Sequence, residues 1–104
     1  MRRLVWGIAL AWMVLAASPL SAQGDKVKGE KLYKDQKCSM CHRIGTAGAK
    51  MGPELTKVGA TRDRAWLEQY LANPKAVNPK NKMPAVKAKG QDLDDLIAYL
   101  LTLK

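Results

Sequence analysis

The five residues Cys38-Ser39-Met40-Cys41-His42 constrain this chain more than any other stretch. Two cysteines separated by two residues and followed directly by histidine form the attachment sequence of c-type haem. Each thiol adds across one vinyl group of the porphyrin, and the two intervening residues let a single helical turn reach both vinyls. His42 is then carried beneath the iron, where an imidazole nitrogen can take an axial position. Three plainer readings fare worse. A structural zinc site wants four Cys or His ligands, and the chain holds two Cys and one His in all. A redox-active Cys-x-x-Cys pair belongs in strand–helix–strand surroundings, and no strand-like alternation is evident nearby. A disulfide across two residues closes so small a loop that it would stabilise little. The motif therefore predicts one haem c attached through Cys38 and Cys41, with His42 as an iron ligand.

The beginning of the chain reads as an export signal rather than as part of the fold. Arg2 and Arg3 give a positive start, Leu4 to Ala17 form an apolar run, and Ser18-Pro19-Leu20-Ser21-Ala22 ends in a small residue. Residues 1–22 are read as a cleavable secretory signal and residues 23–104 as the domain, so 82 of the 104 residues remain. The rival reading is an uncleaved anchor, because Leu4 to Ala22 approaches the roughly 20 residues needed to span a bilayer. Export suits the motif, since haem is attached to exported c-type cytochromes outside the cytoplasm. A periplasmic or otherwise exported protein is expected, membrane-tethered only if the N-terminus stays.

A domain of this size has a limited core and usually needs a staple. The retained chain has no Phe and a single Trp, so an apolar cofactor held by two thioethers would serve as that staple. The formal net charge is +9, or +7 once Arg2 and Arg3 are removed. Two ionised haem propionates bring the holoprotein to about +5. A basic balance can mean nucleic acid, anionic lipid or an acidic partner. Nothing in the chain resembles a nucleic-acid module, which leaves acidic protein partners and a monomeric carrier.

Periodicity predicts an all-α domain of three main helices and long loops. Asp25 caps a first helix toward Gln36, with Gly29, Leu32, Tyr33 and Gln36 on one face. Gly45 to Gly52 reads as loop and Gly52-Pro53-Glu54-Leu55 as a turn. After Thr61, a possible cap, a second helix carries Trp66, Leu67, Tyr70 and Leu71, and Asn73-Pro74 stops it. Pro74 to Lys89, with three prolines and five lysines, reads as irregular, with Met83, Ala85 and Val86 facing inward. The last helix opens on Asp92, Asp94 and Asp95 and presents Leu93, Leu96, Ile97, Leu100 and Leu101, with Tyr99 at its side.

Together these residues resemble a class I c-type cytochrome, the small single-haem kind, over nearly all of the chain from Gly29 to Leu103. Gly29-x-x-x-Tyr33 is similar to the family's Gly-x-x-x-aromatic helix, which crosses a C-terminal helix matched here by Leu96 and Tyr99. The resemblance implies the cytochrome c fold, wrapped around one covalently bound haem. Gly52-Pro53-x-Leu55 resembles the turn whose proline carbonyl accepts a hydrogen bond from the proximal imidazole, which gives that role to Pro53 toward His42. Tyr70-Leu71-x-Asn73-Pro74, followed nine residues later by Lys82-Met83, resembles the segment that delivers the distal ligand. Met83 is then the second axial ligand, and Tyr70 matches the tyrosine whose hydroxyl lies near the ligand sulphur. The other two methionines of the retained chain lie in the attachment motif, Met40, and beside the proximal turn, Met51.

One departure stands out. Where the mitochondrial pattern has a propionate-binding Trp, this chain has Arg62, and its Trp66 lies one helical turn later. The Gly and Thr before Lys-Met are replaced by Lys80 and Asn81. Propionate contacts therefore do not carry over, and Arg62 either pairs with a propionate or is solvated.

With both axial positions filled, the iron has no place for substrate, so the resemblance implies a one-electron carrier and not an enzyme. It would shuttle electrons between exported or membrane-bound partners of a respiratory chain. Lys37, Lys75, Lys80, Lys82, Lys87 and Lys89 could ring the exposed haem edge and steer acidic partners. Two other classes stay open: the haem subunit of an exported oxidoreductase complex, such as one oxidising sulfur compounds, and a redox- or gas-sensing domain.

Overall fold

The computed structural model describes residues 24–104, so the expected leader over residues 1–22 lies outside the described residues. Helix α1 spans Lys26–Asp35. The Asp25 side chain caps it, accepting from the Val27 and Lys28 N–H groups. It ends one residue earlier than the apolar spacing suggests. Gln36 is its C-cap, and Lys37 turns left-handed at φ 57°, the conformation that closes a helix at the residue after its cap. That reversal launches a 3-10 turn over Cys38–Met40, in which Cys38 C=O accepts from Cys41 N–H at 3.1 Å and from His42 N–H at 2.9 Å.

The stretch expected to be pure loop contains a small ribbon. Strands β1 (Arg43–Ile44) and β2 (Ala47–Gly48) pair antiparallel, Arg43 with Gly48 and Ile44 with Ala47. Two residues per strand are too few to show alternation, so sequence periodicity is blind to it. Helix α2, a single turn over Val58–Thr61, follows. Thr61 does not cap the next helix; its hydroxyl donates to Val58 C=O at 3.2 Å. Asp63 does so instead, accepting from Trp66 N–H at 2.8 Å, and helix α3 runs Arg64–Ala72.

Asn73-Pro74 stops α3, but the segment beyond is not wholly irregular. Pro74 occupies the first turn of a short helix α4 over Pro74–Val77, where a missing N–H costs nothing. Of the three residues expected to face inward, Met83 and Val86 are half-buried and Ala85 is exposed; Ala88 is the buried alanine. Helix α5, Gln91–Leu101, closes the chain with Asp92 and Asp94 in its first turn. Asp95 does not point to solvent with them. It is 2% exposed and accepts from Asp25 N–H and from the Gln91 amide, each at 2.8 Å. It ties the start of α1 to the start of α5.

The three main helices enclose the core of Tyr33, Leu67, Leu71, Leu96, Ile97 and Leu100. Its organising contact is the crossing of α1 over α5. A Cβ on Gly29 would collide with the Asp95 carbonyl and lie 2.7 Å from Tyr99 Cβ, so only glycine permits this approach. Leu96, on the same helix as Tyr99, is 1% exposed and belongs to the core. Gly29→Ala should therefore destabilise the protein by about 1–3 kcal/mol, the usual cost of overpacking, read as a lower denaturant midpoint at unchanged slope.

Candidate functional site

A cavity of about 700 Å³ opens against one side of this core. Its walls bring together residues far apart in sequence: Cys38 and His42 from the attachment motif, Pro53 and Leu55 from the turn, Trp66 and Tyr70 from α3, and Met83 from the distal segment. Leu67, Leu71, Leu96 and Leu100 supply the apolar back wall.

On one wall His42 is buried, and its Nδ1–H donates to Pro53 C=O at 2.7 Å. This bond sets the tautomer: with the proton on Nδ1, Nε2 keeps a lone pair. The turn that places Pro53 is itself anchored, since Gly52 N–H donates to Cys41 C=O at 2.6 Å and Leu55 N–H to Arg43 C=O at 2.8 Å. Gly52 has a function that a plain Gly-Pro turn does not suggest. A Cβ there would lie 2.8 Å from His42 Cε1 and 2.9 Å from Nδ1, so its absence makes room for the ring.

Cys38 is half-buried in the cavity wall, while Cys41 is exposed, and the two form no disulfide. Burial pushes the Cys38 thiol up, which is the opposite of what a redox-active cysteine pair requires. Close by, the Tyr33 hydroxyl is buried and has no hydrogen-bond partner among the described residues. Burial first, then the neighbouring Cys38 and Tyr99, push it up to about 12, so it stays a neutral donor.

The distal wall is a layered stack. The Arg62 guanidinium lies 4.0 Å from the Trp66 ring centroid, and Trp66 stacks on Tyr70 at 4.6 Å and 17°. Trp66 thus contacts both Arg62 and Tyr70, and all three line the cavity. The Tyr70 hydroxyl accepts from the Asn81 amide, whose oxygen in turn accepts from Met83 N–H at 2.9 Å. In the sequence, Asn81 reads only as a departure from a pattern. The one available signal is an Asn two residues before the candidate ligand, the spacing of an Asx turn. Met40 and Met51 are 64% and 83% exposed, and neither lines the cavity. Lys37, Lys75, Lys80, Lys82, Lys87 and Lys89 are all exposed.

Residues 27–104 match the cytochrome c family. Among curated relatives, cytochrome c2 of Rhodomicrobium vannielii is 39% identical over 118 aligned positions, covering 92% of this chain and 90% of that protein. Cytochrome c2 of Blastochloris viridis is 35% identical, with 96% and 92% covered. Cytochrome c of Theileria annulata is 41% identical, with 75% and 85% covered. The chain belongs to the cytochrome c family. It has the all-α fold of that family, and its cofactor is one covalently attached haem c, for which Cys38 and Cys41 are the two cysteines.

The residues present fit that group. The cavity lies within the range of about 300–1,000 Å³ typical of cofactor sites. Its lining is mostly apolar, and it offers a thiol, an imidazole, a thioether and the partnerless Tyr33 hydroxyl. Acid–acetone extraction should leave haem with the wild-type chain, whereas non-covalent haem would partition into the solvent. The Cys38→Ala/Cys41→Ala chain should be haem-free and largely unfolded at room temperature, because cofactor binding supplies much of the folding free energy. Full extraction from the wild type, or a cooperative melt of the double variant, would contradict this.

Proposed function

We propose that this protein is an exported one-electron carrier whose haem iron is held by His42 Nε2 and Met83 Sδ. The observation that carries the reading is the His42–Pro53 hydrogen bond at 2.7 Å, which commits Nδ1 and leaves Nε2 for metal inside the cavity that Met83 also lines. The bound group supplies a reversible Fe(III)/Fe(II) change. The chain supplies the rest. Two ligands of fixed position leave no coordination site for a substrate, which suits a carrier and not a catalyst. Leu67, Leu71, Leu96 and Leu100 keep water from the cavity and favour the less charged reduced state, as does a thioether ligand. Because hydrogen-bonded turns hold the two ligand segments, little has to move when the charge changes.

The exposed side chains of Lys37, Lys75, Lys80, Lys82, Lys87 and Lys89 fit recognition of acidic redox proteins. Association should therefore slow as salt rises, since screening shortens the reach of these charges. No helix among the described residues is long and apolar enough to cross a membrane. Cleavage after Ala22 would release residues 23–104 into the periplasm, where cofactor attachment and partner encounter both take place.

Met83→Ala tests the ligand assignment. The variant should keep its attached haem, show a lower reduction potential and bind carbon monoxide in the reduced state at neutral pH. An unchanged potential would move the assignment to another side chain. Ready carbon monoxide binding by the wild type would favour a gas-sensing domain over a carrier.

A further inference from the structure

One side chain on the distal wall joins the candidate ligand to the scaffold. Asn81 is half-buried, and its carboxamide makes two hydrogen bonds at once, to Met83 N–H at 2.9 Å and to the Tyr70 hydroxyl. Chemistry fixes their polarity. A backbone N–H can only donate, so the group facing Met83 is the carbonyl oxygen. The amide nitrogen, which can only donate, then faces Tyr70, and Tyr70 accepts. The tyrosine's own proton is left for the cavity that its ring lines.

The two ends of this bridge differ in rigidity. Tyr70 belongs to α3 and is clamped by the Trp66 stack, with the Arg62 guanidinium 4.0 Å from the Trp66 ring centroid. Met83 lies in a stretch without regular structure, between a turn where Asn78 accepts from Lys80 N–H and the bond from Val86 N–H to Leu71 C=O. A carboxamide bonded to both sides couples the less regular segment to the rigid one.

We propose that Asn81 is a positioning residue of the iron site, locking the Met83 segment to Tyr70 and so setting how often Met83 leaves the metal. The proposal rests on the reading of Met83 as a ligand. An exogenous ligand binds only the open form, so its apparent affinity is the intrinsic one scaled by the open fraction. A hydrogen bond of ordinary strength changes that fraction by roughly five- to tenfold.

The test is a titration of reduced holoprotein with carbon monoxide, with haem content and far-ultraviolet circular dichroism as controls for folding. Asn81→Ala should keep haem and helicity and bind carbon monoxide roughly five- to tenfold more tightly than wild type. Asn81→Asp keeps an oxygen for Met83 N–H and offers a second to the Tyr70 hydroxyl, which then donates, so it should stay near the wild-type affinity. Tyr70→Phe removes the anchor. In that background Asn81→Ala should add less than about twofold, because coupled residues are not additive. Wild-type affinity in Asn81→Ala, an Asn81→Asp as open as the alanine variant, or additive effects of Asn81 and Tyr70 would each overturn the proposal. Met83→Ala separates the two claims. If it leaves carbon monoxide binding unchanged, the ligand reading has failed; if it opens the site while Asn81→Ala does not, only the lock has failed.

Discussion

The hydrogen bond from His42 Nδ1–H to Pro53 C=O is the interaction on which the site depends. Without it the imidazole could present either nitrogen, and the ring could rotate about its side-chain torsions. With it, one nitrogen is spent and the other has a fixed direction. Several unrelated features exist to make this bond possible. Gly52 clears space for the ring, the Gly52 and Leu55 amides fasten the turn to the backbone on either side of His42, and the β1–β2 ribbon fills the intervening span. The ribbon is short, and it serves to return the chain from His42 to Pro53.

The helical scaffold carries the other half of the design. The Gly29 crossing brings α1 against α5 at backbone distance, and Asp95 pins their N-terminal ends together. That leaves α3 to face the pair across the core, with Leu67 and Leu71 turned inward and Trp66 and Tyr70 at the cavity. Few side chains are fully buried among the described residues. Leu96 and Ile97 are the largest among the described residues, and the space where more core would be expected is the cavity itself. Much of the apolar surface that stabilises this fold is thus matched to a cofactor rather than to other side chains.

The main helices were legible because their signals are redundant. In α5, Leu96, Ile97 and Leu100 mark one face strongly enough to survive any error at its ends, and in α1 the cap, the glycine and the aromatic agree. The attachment motif was legible because its spacing has a chemical reason, and Pro53 because Gly52-Pro53-x-Leu55 resembles a known family turn. What escaped was what sequence encodes weakly. Two-residue strands have no period, a one-turn helix such as Val58–Thr61 has no face, and Thr61 and Asp63 are both acceptable caps until the chain path chooses between them. Asn81 was illegible for a different reason: its importance lies in Tyr70, eleven residues away, coming within reach. Gly52 was hidden likewise, because the atom it makes room for belongs to His42.

The central claim is that His42 and Met83 together complete one iron site. The most direct measurement is a proton magnetic resonance spectrum of the reduced holoprotein, whose low-spin Fe(II) is diamagnetic. A methyl group held over the face of a porphyrin is strongly shielded by its ring current. Met83 should give a three-proton resonance far upfield of every other methyl, missing from Met83→Ala. A spectrum without such a resonance, or one in which it persists after Met83 is replaced, would contradict the claim.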